Sequence, residues 1–294
     1  MRGAARDLGI TQPALSTRIA ELERDLGAHL VHRTARGATL TGTGHALLAH
    51  ARMICNQVDR AQADMARLTK SSSPVVSLGA SPLAAGELIA PLLNEVKALA
   101  HFRVTEGQFH DLASEMREGG LEMIIAPIPP GEKDTKAFQF EELVTYPMYV
   151  VARGGHPLGS STKLMDLADA SWVVGAATNT HQSTVEEVYK LHGLPPPRIA
   201  LHSDSISLVQ ASIVQADLLG LLPLPLFSLL GTSVKALPIE DPIRPLRLGL
   251  ITLAGIPPSP AAQIFADFVR KRSEKIAKEL ALKRRCSSNV PRGA

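Results

Sequence analysis

The sequence predicts three parts in order: a small winged helix-turn-helix head, one long linker helix, and an α/β body of two lobes. Three observations predict this. Two short apolar stripes at helical spacing flank Gly9 near the start of the chain. Residues 41–70 contain no proline and keep one heptad seam throughout. Beyond Pro74, apolar runs of strand length alternate with helical ones.

In the head, Ala4, Ala5 and Leu8 share one helical face. Gly9 supplies the left-handed conformation that ends a helix in a sharp turn, and Ile10 fills that turn. Thr11 is a good N-cap, and Pro13 falls in the next first turn, where a missing N–H costs nothing. Leu15, Ile19, Leu22 and Leu26, spaced four, three and four apart, predict one continuous buried stripe. Thr11, Gln12, Pro13, Ala14, Ser16, Thr17 and Arg18 open this second helix and are small or polar. They would let its backbone approach a major groove, with Gln pairing to adenine, Arg to guanine, and an Ala methyl against thymine. The solvated side of an amphipathic helix would look the same. Gly27 closes the helix, and residues 30–33 and 38–41 read as a hairpin with a basic tip. Arg33 and Arg36 are its candidate contacts to phosphates or a minor groove.

In the linker, Gly42 and Gly44 are the only glycines and both lie at its start. Leu47, Ala51, Ile54, Val58, Ala61, Met65 and Leu68 follow at alternating spacings of four and three. That is the a/d seam of a coiled coil, although one helix lying on its own domain would carry the same stripe. Ser71-Ser72-Ser73-Pro74 ends the helix as a hinge.

In the body, strands are expected at 75–79, 102–106 and 121–126, with helices at 83–99 and 112–118 between them. A crossing at 143–153 leads to a second lobe with strands at 172–174, 199–202 and 218–222 and helices at 184–192 and 205–215. Residues 246–254 return to the first lobe, which a helix at 261–278 completes. The alternation predicts parallel sheets with right-handed crossovers. The expected domains are the head at 1–41, the linker at 42–70 and the body at 71–294. Within the body, lobe 1 takes 75–151 with 246–280, lobe 2 takes 152–245, and 283–294 form a basic, disordered tail. Open α/β sheets bind ligands beyond the carboxyl ends of their strands, where helix N-termini offer N–H groups. The turns Ala80-Ser81-Pro82, Thr178-Asn179-Thr180 and Ser203-Asp204-Ser205 qualify, with Gln108 and Phe109 as a further wall. Ser81, Pro82, Gln108, Phe109, Thr178 and Ser203 are therefore the candidate ligand contacts. Each Ser or Thr among them would serve equally as a plain helix cap.

The run Ala4-Ala5 … Leu8-Gly9-Ile10-Thr11-Gln12-Pro13-Ala14-Leu15-Ser16 … Ile19 … Leu22-Glu23 … Leu26-Gly27 … Leu30 … Arg33 … Leu40-Thr41 … Gly44 resembles the head of LysR-type transcription regulators. More loosely, the body resembles theirs at Leu121-Glu122-Met123-Ile124-Ile125-Ala126, His156-Pro157-Leu158 and Gly220-Leu221-Leu222-Pro223. Thr17 stands where that family usually has Arg, Val31 where it often has Phe, and Glu122 where it usually has Asp. The resemblance implies a further helix ahead of the first one here, and a periplasmic-binding-protein-like (type 2) two-lobed effector domain. It also implies double-stranded promoter DNA and a small-molecule effector as partners; the helix N-terminus after Ser81 favours negative charge, so the effector is expected to be a small anion. The chain itself is expected as a further partner, as dimer or tetramer, with RNA polymerase another candidate. An effector would shift the lobes and so reorient DNA-bound heads.

Charge agrees with that division. Residues 1–70 hold ten Lys/Arg against six Asp/Glu, for +4; residues 71–269 hold twelve against twenty, for −8; residues 270–294 hold nine against two, for +7. A basic head on an acidic body suits a protein that meets a polyanion head first. Aromatic residues are only 4% of the chain, too few for a face that reads bases by stacking. Cys55 and Cys286 form no disulfide or ligand pattern, ten histidines lack metal spacing, and no apolar signal region follows Met1. The apolar stretch 218–230 is broken by Pro223 and Pro225 and is too short to span a bilayer. Gly79-Ala80-Ser81-Pro82 is no nucleophile elbow, and Gly42 and Gly44 follow no strand. The expectation is a cytoplasmic regulator without cofactor, metal, membrane contact or catalysis. An enzyme or a transporter's solute-binding protein on the same two-lobed body is the alternative, as is a truncated regulator impaired in DNA binding.

Overall fold

The computed structural model describes residues 2–34, 37–68, 73–129, 137–175, 184–229 and 231–288. The chain divides into two compact units, Met1–Ser72 with Arg117–Gly120, and Ser73–Met116 with Leu121–Ala294.

The first unit opens with α1 (Arg2–Asp7) and α2 (Gln12–Leu26). Gly9, at φ +65°, makes the turn between them, and the Ile10 N–H returns to the Ala5 carbonyl at 3.0 Å. Gly27 caps α2 in the left-handed conformation. The wing follows as an antiparallel pair, β1 (Val31–Thr34) and β2 (Gly37–Leu40). Glu23 ties the wing to α2: its Oε1 accepts from the N–H groups of Leu30 at 2.7 Å and Val31 at 3.1 Å. The linker is one helix, α3 (Gly42–Leu68), capped where Thr41 Oγ1 accepts from the Gly44 N–H at 2.9 Å. A Cβ on Gly44 would lie 2.1 Å from the Leu30 carbonyl oxygen, so only glycine fits against the wing there.

The buried stripe expected for α2 is not closed. No residue of α2 is buried, and Leu22 and Leu26 are exposed, as is Leu8 just after α1; Ala5 on α1 is buried. Two short helices have too little surface to cover each other's stripes.

The second unit begins with β3 (Val75–Ala80). The helix expected at 83–99 is three pieces: α4 (Pro82–Ala84), a π-helical turn at Ala85–Ile89, and α5 (Ala90–Val96). Then come β4 (His101–Glu106), α6 (Phe109–Arg117), β5 (Met123–Pro127) and β6 (Phe138–Tyr146). After Pro147 the chain enters a second sheet with β7 (Met148–Arg153), β8 (Ser171–Val174), α7 (Thr184–Leu191), β9 (Arg198–His202), α8 (Ile206–Gln215), β10 (Leu219–Pro223), α9 (Leu224–Leu229) and β11 (Val234–Ala236). It returns with β12 (Leu246–Leu253) and ends in α10 (Pro260–Ser288).

The first sheet has strand order β4-β3-β5-β12-β6 and the second β11-β7-β10-β8-β9. Neither is wholly parallel, which corrects the expectation from alternation. β3, β4 and β5 run parallel, as do β8, β9 and β10, but β12 is antiparallel to β5 and β6, and β7 to β10 and β11. The strand entered at each passage between sheets, β7 on the way out and β12 on the return, is the one that runs against its parallel neighbours. Pro147 is also where the sheets change, so β7 belongs wholly to the second sheet and the lobe boundary expected at 151 falls inside it. The last helix runs to Ser288, past both the expected end at 278 and the start of the expected tail at 283.

Each sheet has its own core. In the first, Val76, Leu78, Met123 and Leu248 pack against Phe265 and Val269 of α10. In the second, Trp172 meets Tyr189 edge-on, with ring centroids 5.9 Å apart, and the Tyr189 hydroxyl donates to the Leu167 carbonyl at 3.0 Å. Burial pushes that phenol up to about 12.

Candidate functional site

At the start of α2, Thr11 has extended backbone angles and its Oγ1 accepts from the Ala14 N–H at 3.3 Å. Gln12, Pro13, Ala14, Thr17 and Arg18 are exposed and Ser16 is half-buried. Thr17 donates to the Pro13 carbonyl at 3.1 Å, so its hydroxyl proton is used within the helix. Arg2 Nε donates to Gln12 Oε1 at 3.2 Å, and the Gln12 amide nitrogen is not part of that contact. Arg33 lies on β1, but its side chain, like all of Arg36, lies outside the described residues.

On α3 the seam positions are mostly open. Ile54 is 64%, Val58 50% and Met65 59% exposed; Ala51 and Ala61 are exposed too, and Leu47 is half-buried. The Leu68 side chain lies outside the described residues.

In the body, the carboxyl ends of the parallel strands carry the remaining candidates. Ser81 is buried and caps α4: its Oγ accepts from the Ala84 N–H at 3.3 Å, while its own N–H donates to the Ile125 carbonyl at 2.9 Å. The open backbone N–H groups expected at this turn are therefore largely spent, and Pro82, half-buried, has none to offer. In the capping contact Ser81 Oγ is the acceptor, which leaves its O–H to donate. Phe109 is not a wall. It is buried, with its ring 5.6 Å from Phe138 and 5.8 Å from Phe140, because α6 starts at this residue and turns it inward. Ser203 donates its N–H to the Val174 carbonyl at 2.9 Å, and its Oγ accepts from the Ser205 N–H at 3.1 Å. Ser205, not Ser203, caps α8. Thr178 lies outside the described residues.

A side-chain hydrogen bond joins strand-end loops of the two sheets. Gln108, after β4, donates its side-chain N–H to Asp204 Oδ1, after β9, at 2.8 Å. Asp204 was not singled out from the sequence; its signal was an acidic residue in a strand-end turn. A groove of about 510 Å³ lies elsewhere, lined by Gln139, Glu141, Gln263 and Arg270 on β6 and α10. Arg270 there is held by Glu141 at 2.8 Å and Asp267 at 2.7 Å, which keep its guanidinium charged.

A capped helix end displayed beside a wing, an open heptad seam and a two-sheet body whose strand ends meet define a class: a DNA-binding transcription regulator with an effector-binding body. Residues 1–45 match the bacterial regulatory helix-turn-helix proteins of the lysR family, and residues 69–274 match the LysR substrate binding domain. The chain belongs to the LysR family. It is 27% identical over 300 residues to the HTH-type transcriptional regulator GbpR of Azospirillum brasilense, covering 97% of this chain and 86% of that one. The fold resembles the effector binding domain of QuiR in complex with shikimate, at TM-score 0.60 and 20% identity, covering 69% of this chain and 99% of that one. It also resembles full-length CbnR complexed with target DNA, at TM-score 0.63 and 19% identity, covering 92% and 93%. No helix among the described residues is long and apolar enough to cross a membrane.

Proposed function

We propose that this regulator binds promoter DNA in the cytoplasm as a dimer paired through α3, reads bases with the start of α2, and answers to a small metabolite held between its two sheets. The observation that carries the DNA assignment is the exposure of Gln12, Pro13, Ala14, Thr17 and Arg18 at the start of α2, held in place by the Thr11 cap and the Gly9 turn. Gln12 and Arg18 are the base readers; Arg33 and Arg36 on the wing neutralise phosphates. The open seam from Leu47 to Met65 supports pairing, and assembly through the bodies would give a tetramer. RNA polymerase is a further partner of this reading. The effector would be a small oxygen-rich acid, reached by the Ser81 hydroxyl, Gln108 and the loop of Ser203. Thr178 belongs to this set on sequence grounds. QuiR's complex with shikimate is in keeping with that ligand class.

The test is fluorescence anisotropy on the best duplex selected from a random pool. Gln12→Ala should weaken binding by about 1–3 kcal/mol and relax preference at one base pair. Arg18→Ala should relax it at another. Indifference to both substitutions would remove the start of α2 as the reading element.

A further inference from the structure

Burial in α10 stops well before the helix does. Among its described side chains Ile276 is the last buried one, and Leu280, half-buried, is the last that packs on the core of the first sheet. The helix continues for about two turns more, to Ser288. Residues 279–285 are strong helix formers throughout, which lets the helix run on once its first turns are anchored. The basic residues along this half of α10 fall into two sets. Arg270 is held by Glu141 and Asp267, and Arg272 Nε donates to the Glu87 carbonyl at 2.7 Å. Lys271, Lys275 and Lys278, spaced four and three apart, share one face, are exposed, and pair with no carboxylate among the described residues. Lys271 Nζ lies 5.9 Å from the Phe268 ring centroid, a contact that does not neutralise its charge. Lys283, Arg284 and Arg285 follow on the same helix. Cations in a last turn answer the helix dipole, but that effect fades within a turn, and Lys278 lies ten residues ahead of Ser288. The dipole therefore accounts for the end of the run and not for the three lysines.

Charge says what such a face would meet. Residues 1–70 at +4 and 71–269 at −8 leave the chain at −4 ahead of residue 270, and residues 270–294, at +7, bring it to +3. A DNA-binding chain at −4 would be repelled from the duplex by its own body, and the charge that reverses the sign is concentrated from α10 onward. We propose that the lysine face of α10, formed by Lys271, Lys275 and Lys278, is a second DNA contact, which holds backbone phosphates of the duplex without reading bases. This rests on the chain's binding duplex DNA, and not on the start of α2 being the reading element. Lysine suits the task, because its ammonium is a point charge on a flexible stem and reaches a phosphate without a fixed geometry. Each phosphate neutralised releases condensed counterions, so the contact shows in the salt dependence of binding and not in base preference.

Fluorescence anisotropy on the full chain across a salt series tests this, with the duplex selected from a random pool and a scrambled duplex. Replacing Lys271, Lys275 and Lys278 together by Ala should lower the slope of log affinity against log salt by about two to three, at about 0.9 per phosphate contact. At low salt both duplexes should be bound more weakly by the same factor, about tenfold or more, so the preference between them stays. Arg at all three positions should keep the parent's slope. Lys97, Lys190 and Lys235, exposed lysines elsewhere on the body, serve as the control: replacing them by Ala changes the net charge equally and should leave the slope as it was. A parent-like slope in the α10 variant would overturn the contact. So would the same fall in both triple variants, since net charge alone would then be at work. If sedimentation shows the α10 variant losing assembled mass, the face belongs to the acidic body of a second copy, and the DNA contact is again overturned. The reading helix is tested apart from this. Indifference to Gln12→Ala and Arg18→Ala, with the α10 variant still lowering the slope, would sink α2 as the reader and leave this contact standing.

Discussion

Replacing Ile54 tests the pairing seam at one of its most exposed points. Ile54 is 64% exposed on α3, so pairing can remove about two-thirds of a side chain whose full burial is worth about 1.5–3 kcal/mol. With its symmetry mate it would contribute about 2–4 kcal/mol, or about 30- to 1,000-fold in the dimer dissociation constant. Ile54→Ala should cost that amount. Ile54→Asp should cost more, because it places two carboxylates at one seam without partners. Ile54→Leu conserves volume and should stay within about tenfold of the parent. Sedimentation velocity across a concentration series reads all three. If Ile54→Asp keeps the parent's mass at concentrations where the parent is half-associated, α3 packs within its own chain and the seam argument fails.

Two further substitutions follow from the geometry. Gly44→Ala puts a Cβ 2.1 Å from the Leu30 carbonyl, backbone that cannot yield cheaply, and should destabilise the first unit by about 1–3 kcal/mol or more in thermal unfolding; an unaltered midpoint would mean α3 does not seat against the wing as described. Ser81→Ala removes the cap of α4 and should lower body stability by about 0.5–2 kcal/mol. It should also weaken effector binding by a few-fold to about a hundredfold while leaving DNA affinity without effector unchanged. A loss of stability with no loss of effector affinity would reduce Ser81 to a cap.

Local signals in the sequence located the head and linker well, because each is written in adjacent residues. Gly9, Thr11 and Pro13 specify a turn, a cap and a first turn within five positions, and the heptad specifies α3 by spacing alone. What escaped depends on contacts between distant segments. The direction of β12 comes from its pairing with Phe138–Tyr146 and Met123–Pro127, partners a hundred residues or more away. Phe109 looked like a cleft wall because it follows Gln108, yet its rotation on α6 sends it to Phe138 and Phe140. The π turn at Ala85–Ile89 has no periodic signature in so short a run. In the cleft, the sequence offered Ser81 and Ser203 by their positions at strand ends. The hydrogen bonds divided the roles differently, giving Ser81 and Ser205 to helix caps and bringing Asp204 to Gln108.

The central claim is that this chain binds duplex DNA by sequence. The direct measurement is the affinity ratio, by fluorescence anisotropy at one fixed salt concentration, between the duplex selected from a random pool and a scrambled duplex of equal length and composition. A pair of recognition helices predicts a selected site with two half-sites about one helical turn, or a multiple of it, apart, and a ratio of at least about a thousandfold. Equal affinity for both duplexes, with the same salt dependence, would mean only phosphates are being bound and would contradict the claim.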